Sequence, residues 1–212
     1  GATANVMMAA VLAKGITTIR DAACEPEIVD LANFLNKMGA QVSGGGTATV
    51  TIHGVEELHG TNYAVIPDRI EAGTFMIAGA VTNGDIFINN AIPTHMEALA
   101  EKLCQIGVQL DWQEKGVHIT TPNPLVPADV GTGVYPGFPT DMQAQIMGLM
   151  ALTPGMSVIT ESIFPDRFMH VSELNRMGAK ILIDGDSAVI HGVNSLSGAP
   201  VMASDLRAGA VL

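Results

Sequence analysis

One short stretch, residues 138–145 (Phe-Pro-Thr-Asp-Met-Gln-Ala-Gln), combines side chains that could do acid–base chemistry with an abrupt change of backbone conformation. Pro139 disfavours a helical conformation at the residue before it, so the chain should arrive extended. A helix is predicted over 142–152, where no residue is charged and apolar side chains lie nearly all round, which is typical of a buried helix. Thr140 or Asp141 could cap its free N–H groups. Asp141 is therefore either a helix cap, which is the simpler interpretation, or a catalytic base.

Two further segments place a carboxylate near the start of a predicted helix. They are Pro67-Asp68-Arg69 and Ser204-Asp205-Leu206-Arg207. Each Asp alone is most simply a cap. Helix N-termini nevertheless attract anions, through their free N–H groups and the helix macrodipole. Similar entrances in a repeated fold should converge on a common point, which indicates a site for a phosphorylated ligand.

Composition limits the classes of function. The 212 residues are 48% hydrophobic and 15% charged, with a net charge of −11, which argues against non-specific binding to nucleic acid or to an anionic membrane. Cys24 and Cys104 lack metal-ligand spacing, so we expect buried thiols in a reducing compartment. No apolar run approaches the ~18 residues of a membrane span, and no signal peptide is visible. These features predict a soluble, cytoplasmic protein.

The chain repeats itself. An apolar helical stripe that ends in a glycine recurs, and the glycines Gly39, Gly107 and Gly178 are separated by 68 and 71 residues. Each unit predicts a helix, a strand, an amphipathic helix and a β-hairpin. The predicted helices span 4–14, 26–38, 70–82, 95–106, 142–152 and 168–177. The predicted strands span 17–20, 41–43, 48–53, 85–89, 109–113, 118–120, 157–160, 180–183 and 188–191.

The repeat predicts an α/β fold of βαβαββ units. One unit cannot bury both faces of its helices, so the copies should pack together, with the apolar first helices inside and the sheets outside. The sequence lacks an initiator Met, and a further unit begins at 203 and stops soon after. We therefore expect a piece of a longer chain whose last residues fray beyond Arg207.

One unit differs from its sisters at two positions. Arg167 and His170 stand where the other copies carry apolar residues. A cation on a face that the sister units bury is costly unless it is paired or lines a cleft. The alternative is that this helix begins later and that both side chains are solvated. The sequence leaves both interpretations open.

The whole sequence resembles the enolpyruvyl transferase family. The matching stretches are 25–30 (EPEIVD), 67–71 (PDRIE), 138–145 (FPTDMQAQ), 167–170 (RFMH), 176–179 (RMGA) and 201–207 (VMASDLR). The resemblance implies an inside-out α/β barrel of six repeated units in two globular domains. Residues 1–62 would then be the last unit of the first domain, and 63–212 would be two complete units and the start of a third from the second domain.

The resemblance also implies an activity, which is transfer of the enolpyruvyl group of phosphoenolpyruvate to the 3′-hydroxyl of UDP-N-acetylglucosamine. Phosphate leaves through a tetrahedral intermediate, in the first committed step of peptidoglycan synthesis, and neither an organic cofactor nor a metal is expected. By family correspondence Asp141 is the general base and Asp205 assists proton transfer. The substrate-binding residues implied are Gly1, Glu25, Asp141, Ile163 through its backbone, Arg167 and Arg207.

Several family features do not occur in this sequence. They are a reactive loop cysteine, whose position neither Cys24 nor Cys104 occupies, an N-terminal Lys-Asn pair, and arginines on both sides of the matched region. We therefore expect half of an active site and no turnover by the chain alone. Two alternatives stay open: the sister transferase that acts on shikimate 3-phosphate, and non-catalytic self-association of the repeats.

Overall fold

The structure is a computed structural model that describes residues 1–203 and 205–212. The chain divides into two compact units, Gly1–Ile66 and Pro67–Leu212. The division falls a few residues after the boundary predicted between 62 and 63. The assignment of these units to two domains of a larger protein stays a prediction. Ser204, part of one predicted helix entrance, lies outside the described residues.

The first unit contains one copy of the repeat. Its elements are α1 (Ala2–Ala10), β1 (Ile16–Arg20), α2 (Pro26–Lys37), β2 (Gln41–Ser43) and β3 (Thr49–His53). The strands form an antiparallel sheet in the order β1-β3-β2. The helix predicted over 4–14 ends at Ala10. The carbonyl of Ala13, in the turn that follows, lies so close to Gly54 that any side chain at Gly54 would collide with it.

The second unit contains two further copies. The elements of the first are α3 (Arg69–Val81), β4 (Ile86–Asn89), α4 (Glu97–Ile106), β5 (Gln109–Gln113) and β6 (Gly116–Thr120). Those of the next are β7 (Val130–Gly131), α5 (Gln143–Ala151), β8 (Met156–Thr160), α6 (His170–Arg176), β9 (Lys180–Asp184) and β10 (Ser187–His191). The final element is α7 (Leu206–Val211).

The sheets confirm the predicted repeat and the α/β fold. The second unit has sheets in the orders β4-β6-β5 and β7-β8-β10-β9, so the last strand of each copy lies between the other two. The sequence pattern missed β7, which pairs in parallel with β8. This strand is two residues long, too short to show an alternating pattern.

Helix α5 forms the centre of the second unit, as its uncharged sequence predicts. Ile146, Met147 and Leu149 are fully buried, and the helix packs against both α3 and α7. The expectation that the chain frays beyond Arg207 is wrong. Asp205 caps α7, and Ala208 is fully buried, so the short helix is held at its start and along one side.

The expectation of two buried thiols is also wrong, since Cys104 is exposed and Cys24 is half-buried. Cys104 lies three residues before the glycine that ends its helix, and asparagines occupy the equivalent positions in the sister units. The side chains of these asparagines form hydrogen bonds with the first strand of the following hairpin and do not pack in the core. The apolar stripe therefore runs beside Cys104 and does not include it.

The asparagine contact is the same in both sister units. The Asn36 side chain donates to the carbonyl of Val42 at 2.8 Å and accepts from its N–H at 2.7 Å. Asn175 makes the same pair of hydrogen bonds with Ile181, at 2.9 and 3.0 Å. Leu110 is the equivalent strand residue in the copy that contains Cys104, because it has the same place in the hairpin register.

His170, the first residue of α6, is 2% exposed, and its Nε2 lies 3.2 Å from the sulfur of Met147. The helix does begin later than predicted, but this side chain is not solvated. Burial lowers the pKa of the His170 imidazole from 6.5 to about 4, and the negative charge of Asp205 opposes part of that change. The imidazole is therefore neutral in the folded protein at neutral pH.

We predict that Cys104→Asn stabilises the protein. The new amide should form the missing pair of hydrogen bonds with Leu110 and raise the free energy of unfolding by about 1 kcal/mol, the usual net value of an intramolecular hydrogen bond. Urea denaturation measures this. Asn175→Cys is the reciprocal variant and should lose a similar amount. A loss of stability in Cys104→Asn would contradict the repeat-based assignment.

We also predict a pH dependence from His170. Because the pKa is lower in the folded state than in the unfolded one, the unfolded chain takes up the proton first as pH falls. The contribution of the neutral imidazole to the free energy of unfolding is complete above pH 6.5 and decreases toward pH 4, by up to about 3 kcal/mol. As pH is lowered across this range, the free energy of unfolding of the wild type, taken from denaturation curves, should therefore fall by this amount relative to that of His170→Leu. The same pH dependence in both proteins would show that the imidazole has an ordinary pKa.

Candidate active site

The carboxylate of Asp141 does not cap a helix. Asp141 lies in a short 3-10 turn, Thr140–Met142, that leads into α5, and neither this turn nor α5 has a side-chain cap. The cap interpretation is therefore wrong for this residue. It is correct for Asp68, which accepts from two N–H groups of α3, and for Asp205, which does the same for α7.

Two arginines converge on one oxygen of Asp141. Its Oδ1 accepts from Arg167 Nη1 at 3.0 Å and from Arg207 Nε and Nη2 at 2.8 and 2.5 Å. The side chains of Asp141, Arg167 and Arg207 are 39%, 18% and 33% exposed, so the cluster is partly open to solvent. Within the described part of the chain, Oδ2 of Asp141 accepts no hydrogen bond. One carboxylate oxygen is thus available to a ligand.

The position of Arg167 resolves the question that the sequence left open. The residue precedes α6, and its guanidinium lies 4.4 Å from the centroid of the Phe164 ring as well as on Asp141. Arg167 Nη1 also donates to Thr140 Oγ1 at 2.8 Å. The cation that breaks the apolar stripe is therefore paired and half-buried, not solvated.

A buried carboxylate that sequence reasoning missed lies behind this cluster. Glu161 is fully buried, and its Oε2 accepts from Thr140 Oγ1 at 2.8 Å. Its Oε1 accepts from the Thr132 hydroxyl at 2.8 Å and from the N–H groups of Ile163 and Phe164 at 2.9 and 3.0 Å. The Ile163 N–H therefore donates to a buried side chain of the protein itself. The only signal in the sequence was an acidic residue directly after a predicted strand.

Asp205 is held at the other side of the cluster. Its Oδ1 accepts from the N–H groups of Arg207 and Ala208 at 2.7 and 3.0 Å. The hydrogen bond from the Ala208 N–H is the main cause that lowers the pKa of the Asp205 carboxyl below its usual value. The same short helix start therefore orients a carboxylate and, through Arg207, contributes to the cluster at Asp141.

Two clefts lie beside these side chains. One, of about 400 Å³, is lined by Asp68, Ile70, Glu71, Thr74, Phe75, Asp141, Gln145, Leu206, Arg207 and Ala210. The other, of about 340 Å³, is lined by Phe164, Pro165, Asp166, Arg167, Met169, Asp205 and Arg207. Arg207 lines both clefts and Asp141 lines the larger one. The arrangement therefore offers carboxylates and guanidinium groups to a ligand of about the size of a sugar or a small phosphate ester.

The remaining predicted site residues lie in the first unit. Gly1 precedes α1, and its carbonyl accepts from the backbone and side-chain nitrogens of Asn5. Glu25 precedes α2, and its buried Oε2 has no hydrogen-bond partner among the described residues. The second unit brings together Asp141, Arg167, Asp205 and Arg207, whereas Ile163 is connected to them only through Glu161. The roles of Gly1 and Glu25 stay predictions.

Among the described residues, there is neither a candidate metal-binding group nor a helix that could span a membrane. No group of three or more His, Cys, Asp or Glu side chains is arranged to hold a metal ion. Across the same residues, every helix is too short or too polar to cross a membrane.

The sequence has close relatives. UDP-N-acetylglucosamine 1-carboxyvinyltransferase 1 of Staphylococcus aureus strain N315 is 55% identical over 212 residues, covering 100% of this chain and 50% of that protein. UDP-N-acetylglucosamine 1-carboxyvinyltransferase 2 of Carboxydothermus hydrogenoformans is 56% identical over 214 residues, covering 100% of this chain and 51% of the relative. The chain spans about half the length of these curated relatives.

A solved structure and a protein family also match this chain. The crystal structure of the enolpyruvyl transferase NikO from Streptomyces tendae matches 100% of this chain and 51% of its own, with a TM-score of 0.85 and 26% sequence identity. Residues 1–212 match the family described as EPSP synthase (3-phosphoshikimate 1-carboxyvinyltransferase). The predicted resemblance is confirmed. Because the match extends over the whole sequence, this chain belongs to the EPSP synthase family of enolpyruvyl transferases.

Proposed function

We propose that this chain carries part of the active site of a UDP-N-acetylglucosamine 1-carboxyvinyltransferase. The enzyme transfers the enolpyruvyl group of phosphoenolpyruvate to the 3′-hydroxyl of UDP-N-acetylglucosamine and releases phosphate. Relatives with this name are 55% and 56% identical to the whole chain. The observation that carries the proposal is the cluster in which Arg167 and Arg207 meet on one oxygen of Asp141, at the edge of a cleft.

Asp141 is the proposed general base. A base must lie within about 2.6–3.2 Å of the proton that it removes, and the unoccupied Oδ2 gives the sugar hydroxyl an acceptor at the cleft. The two arginines hold the carboxylate through Oδ1, so its orientation does not depend on the substrate. Proton transfer from the hydroxyl to Oδ2 then accompanies attack of its oxygen on C2 of phosphoenolpyruvate, while the C2=C3 π electrons take a proton at C3 from an acid of the full-length protein. Loss of phosphate from C2 and of a proton from C3 restores the double bond in the product.

The arginines also serve the anionic substrates. A guanidinium has five N–H donors, and the contacts to Asp141 and Thr140 use only Nη1 of Arg167 and only Nε and Nη2 of Arg207. Each arginine therefore keeps donors for phosphate oxygens. Such preorganised donors stabilise the charge that develops when phosphate leaves. Asp205, whose carboxylate caps α7 beside them, is the proposed partner in proton transfer.

The proposal extends to the setting of the reaction. By resemblance to the family, the product enters peptidoglycan synthesis, and the reaction belongs in the cytoplasm. The sister activity on shikimate 3-phosphate is the second candidate, because the family match carries that description. Calorimetric binding of each ligand to the full-length gene product separates the two. We expect affinity for UDP-N-acetylglucosamine, and binding of shikimate 3-phosphate alone would favour the sister activity.

We predict that Asp141→Asn in the full-length gene product lowers the turnover rate by ~10²–10⁴, the usual contribution of general-base catalysis. Asparagine keeps the shape and the acceptor oxygen but cannot take the proton. The affinity for the UDP-sugar should fall much less, because a hydrogen bond to the hydroxyl can survive. Steady-state phosphate release and calorimetric binding measure the two effects.

Asp68→Asn is the matched control for this variant. Asp68 caps α3 through hydrogen bonds of 2.7 and 3.1 Å to Ile70 and Glu71, and asparagine caps about as well as aspartate. Asp68 also lines the larger cleft, but its Oδ1 is held by these N–H groups. The melting temperature of Asp68→Asn should therefore stay close to wild type, and its turnover should change far less than that of Asp141→Asn. Equal, small effects of both substitutions would remove Asp141 from the role of base and leave Asp205 as the better candidate.

We further predict that the 212-residue chain alone releases no phosphate from the two substrates. The cluster at Asp141 is present, but the family's reactive loop cysteine and its additional arginines are not in this sequence. A coupled phosphate assay with purified chain tests this, with the full-length gene product as the positive control. Substrate-dependent phosphate release by the chain alone would show that the described residues suffice for catalysis.

A further inference from the structure

Glu161 connects three parts of the candidate site. Its Oε1 accepts from the backbone N–H groups of Ile163 and Phe164, and its Oε2 accepts from the hydroxyl of Thr140. Arg167 follows in the same turn, because its N–H donates to the carbonyl of Phe164 at 2.9 Å. One buried side chain thus fixes the entrance to α5 and the loop that carries the arginine.

The carboxylate is costly to bury. Glu161 is 0% exposed, and an ionised carboxylate away from water is tolerated only when it is hydrogen-bonded or paired. Among the described residues, no lysine, arginine or histidine side chain hydrogen-bonds to it directly. Its nearest cation in the network is Arg167, which is reached through the Thr140 hydroxyl. Hydrogen bonds from Thr132, Ile163 and Phe164 also stabilise the carboxylate. Its link to a cation, however, is the path from Glu161 through Thr140 to Arg167, which we call the relay.

The relay also has a direction. A threonine hydroxyl has one hydrogen to donate, and Thr140 gives it to Glu161 Oε2. The lone pairs of Thr140 Oγ1 are then free to accept from Arg167 Nη1, the same nitrogen that donates to Asp141. If the hydrogen pointed toward the arginine instead, donor would face donor. The acceptor character of the carboxylate thus sets where the guanidinium is held.

We propose that Glu161 is a positioning residue for the transferase reaction, acting through Thr140 to hold Arg167 on Asp141. It touches neither the substrates nor the reacting atoms. Its effect is to keep one of the two arginines in place on the proposed base before substrate binds. The catalytic part of this inference rests on the proposed function, whereas the placement of Arg167 can be tested without it.

Glu161→Gln tests the direction of the relay. The amide has nearly the shape of the carboxylate, and its oxygen can keep the contacts to Ile163 and Phe164. Its NH₂ group would then face Thr140 and donate, so the hydroxyl loses the acceptor that fixes its hydrogen, and no contact keeps a lone pair directed at Arg167. We expect the ¹⁵N-resolved guanidinium signal of Arg167 in the 212-residue chain to shift and lose its restricted rotation. The Arg207 signal should change less.

Glu173→Gln is the matched control, because Glu173 is a second buried glutamate, on α6, that lies outside the cluster. Its Oε2 accepts from the N–H of Met202 and its Oε1 pairs with Arg176. This substitution should leave the Arg167 signal in place. Thr140→Val gives an independent test if Glu161→Gln does not fold. Valine breaks the relay at its middle, whereas Thr140→Ser keeps the hydroxyl and should restore the signal.

Turnover of the full-length gene product supplies the second readout. We expect Glu161→Gln and Thr140→Val each to lower kcat by up to about 100-fold, the effect of a small misplacement in an active site. The double variant should be no slower than the slower single variant, since both break the same relay. Thr140→Ser and Glu173→Gln should stay near wild type.

The outcomes are distinct. An unchanged Arg167 signal in both Glu161→Gln and Thr140→Val would overturn the positioning role, as would rate losses that multiply in the double variant. A merely structural role would lower the melting temperature equally in Glu161→Gln and Glu173→Gln and leave kcat unaltered. Lack of transferase activity in the unsubstituted full-length product would overturn the proposed function, while the Arg167 spectra would still decide the placement.

Discussion

The candidate site depends on one carboxylate oxygen that two guanidinium groups share. Arg167 and Arg207 would repel each other at this separation if Asp141 were absent, because like charges a few ångströms apart disfavour one another. The carboxylate makes their approach favourable, and the arginines in turn orient the carboxylate. The entrance to α5, the loop before α6 and the first turn of α7 each supply one member. The packing of α7 on α5 is therefore part of the site as well as of the core.

The repeat explains why this oxygen is available. Three helix entrances carry an aspartate, and at two of them, Asp68 and Asp205, the carboxylate caps its own helix. At the third, a 3-10 turn begins at Thr140 and leads directly into α5, so Asp141 lies inside the first turn and not at the position that caps it. The same residue type thus has a structural role in two copies and a potential chemical role in one. The difference lies in the backbone at the entrance, not in the side chain.

Periodicity predicted most of the fold, since the apolar stripe and its terminal glycine recur in every unit. It also marked Arg167 and His170 as exceptions before their surroundings were known. Glu161 could not be found this way, because its role depends on Thr140 and Thr132, which are distant in sequence and have no periodic relation to it. The sequence could not decide between a cap and a base at Asp141 for a related reason: the sequence pattern does not show that α5 is entered through a 3-10 turn.

The measurement that tests the central claim most directly is a double-mutant cycle between Asp141→Asn and Arg207→Gln, with the unfolding free energy of the 212-residue chain as the readout. If the carboxylate and the guanidinium hold each other, the two effects should be non-additive by about 0.5–1 kcal/mol, as for partly exposed charge pairs with good geometry. The Arg207→Gln change leaves the Asp205 cap on the backbone of α7 intact, and both substitutions keep polar side chains of similar shape, so the cycle measures the charge–charge part of the pair. Additive effects, within about 0.3 kcal/mol, would contradict the account.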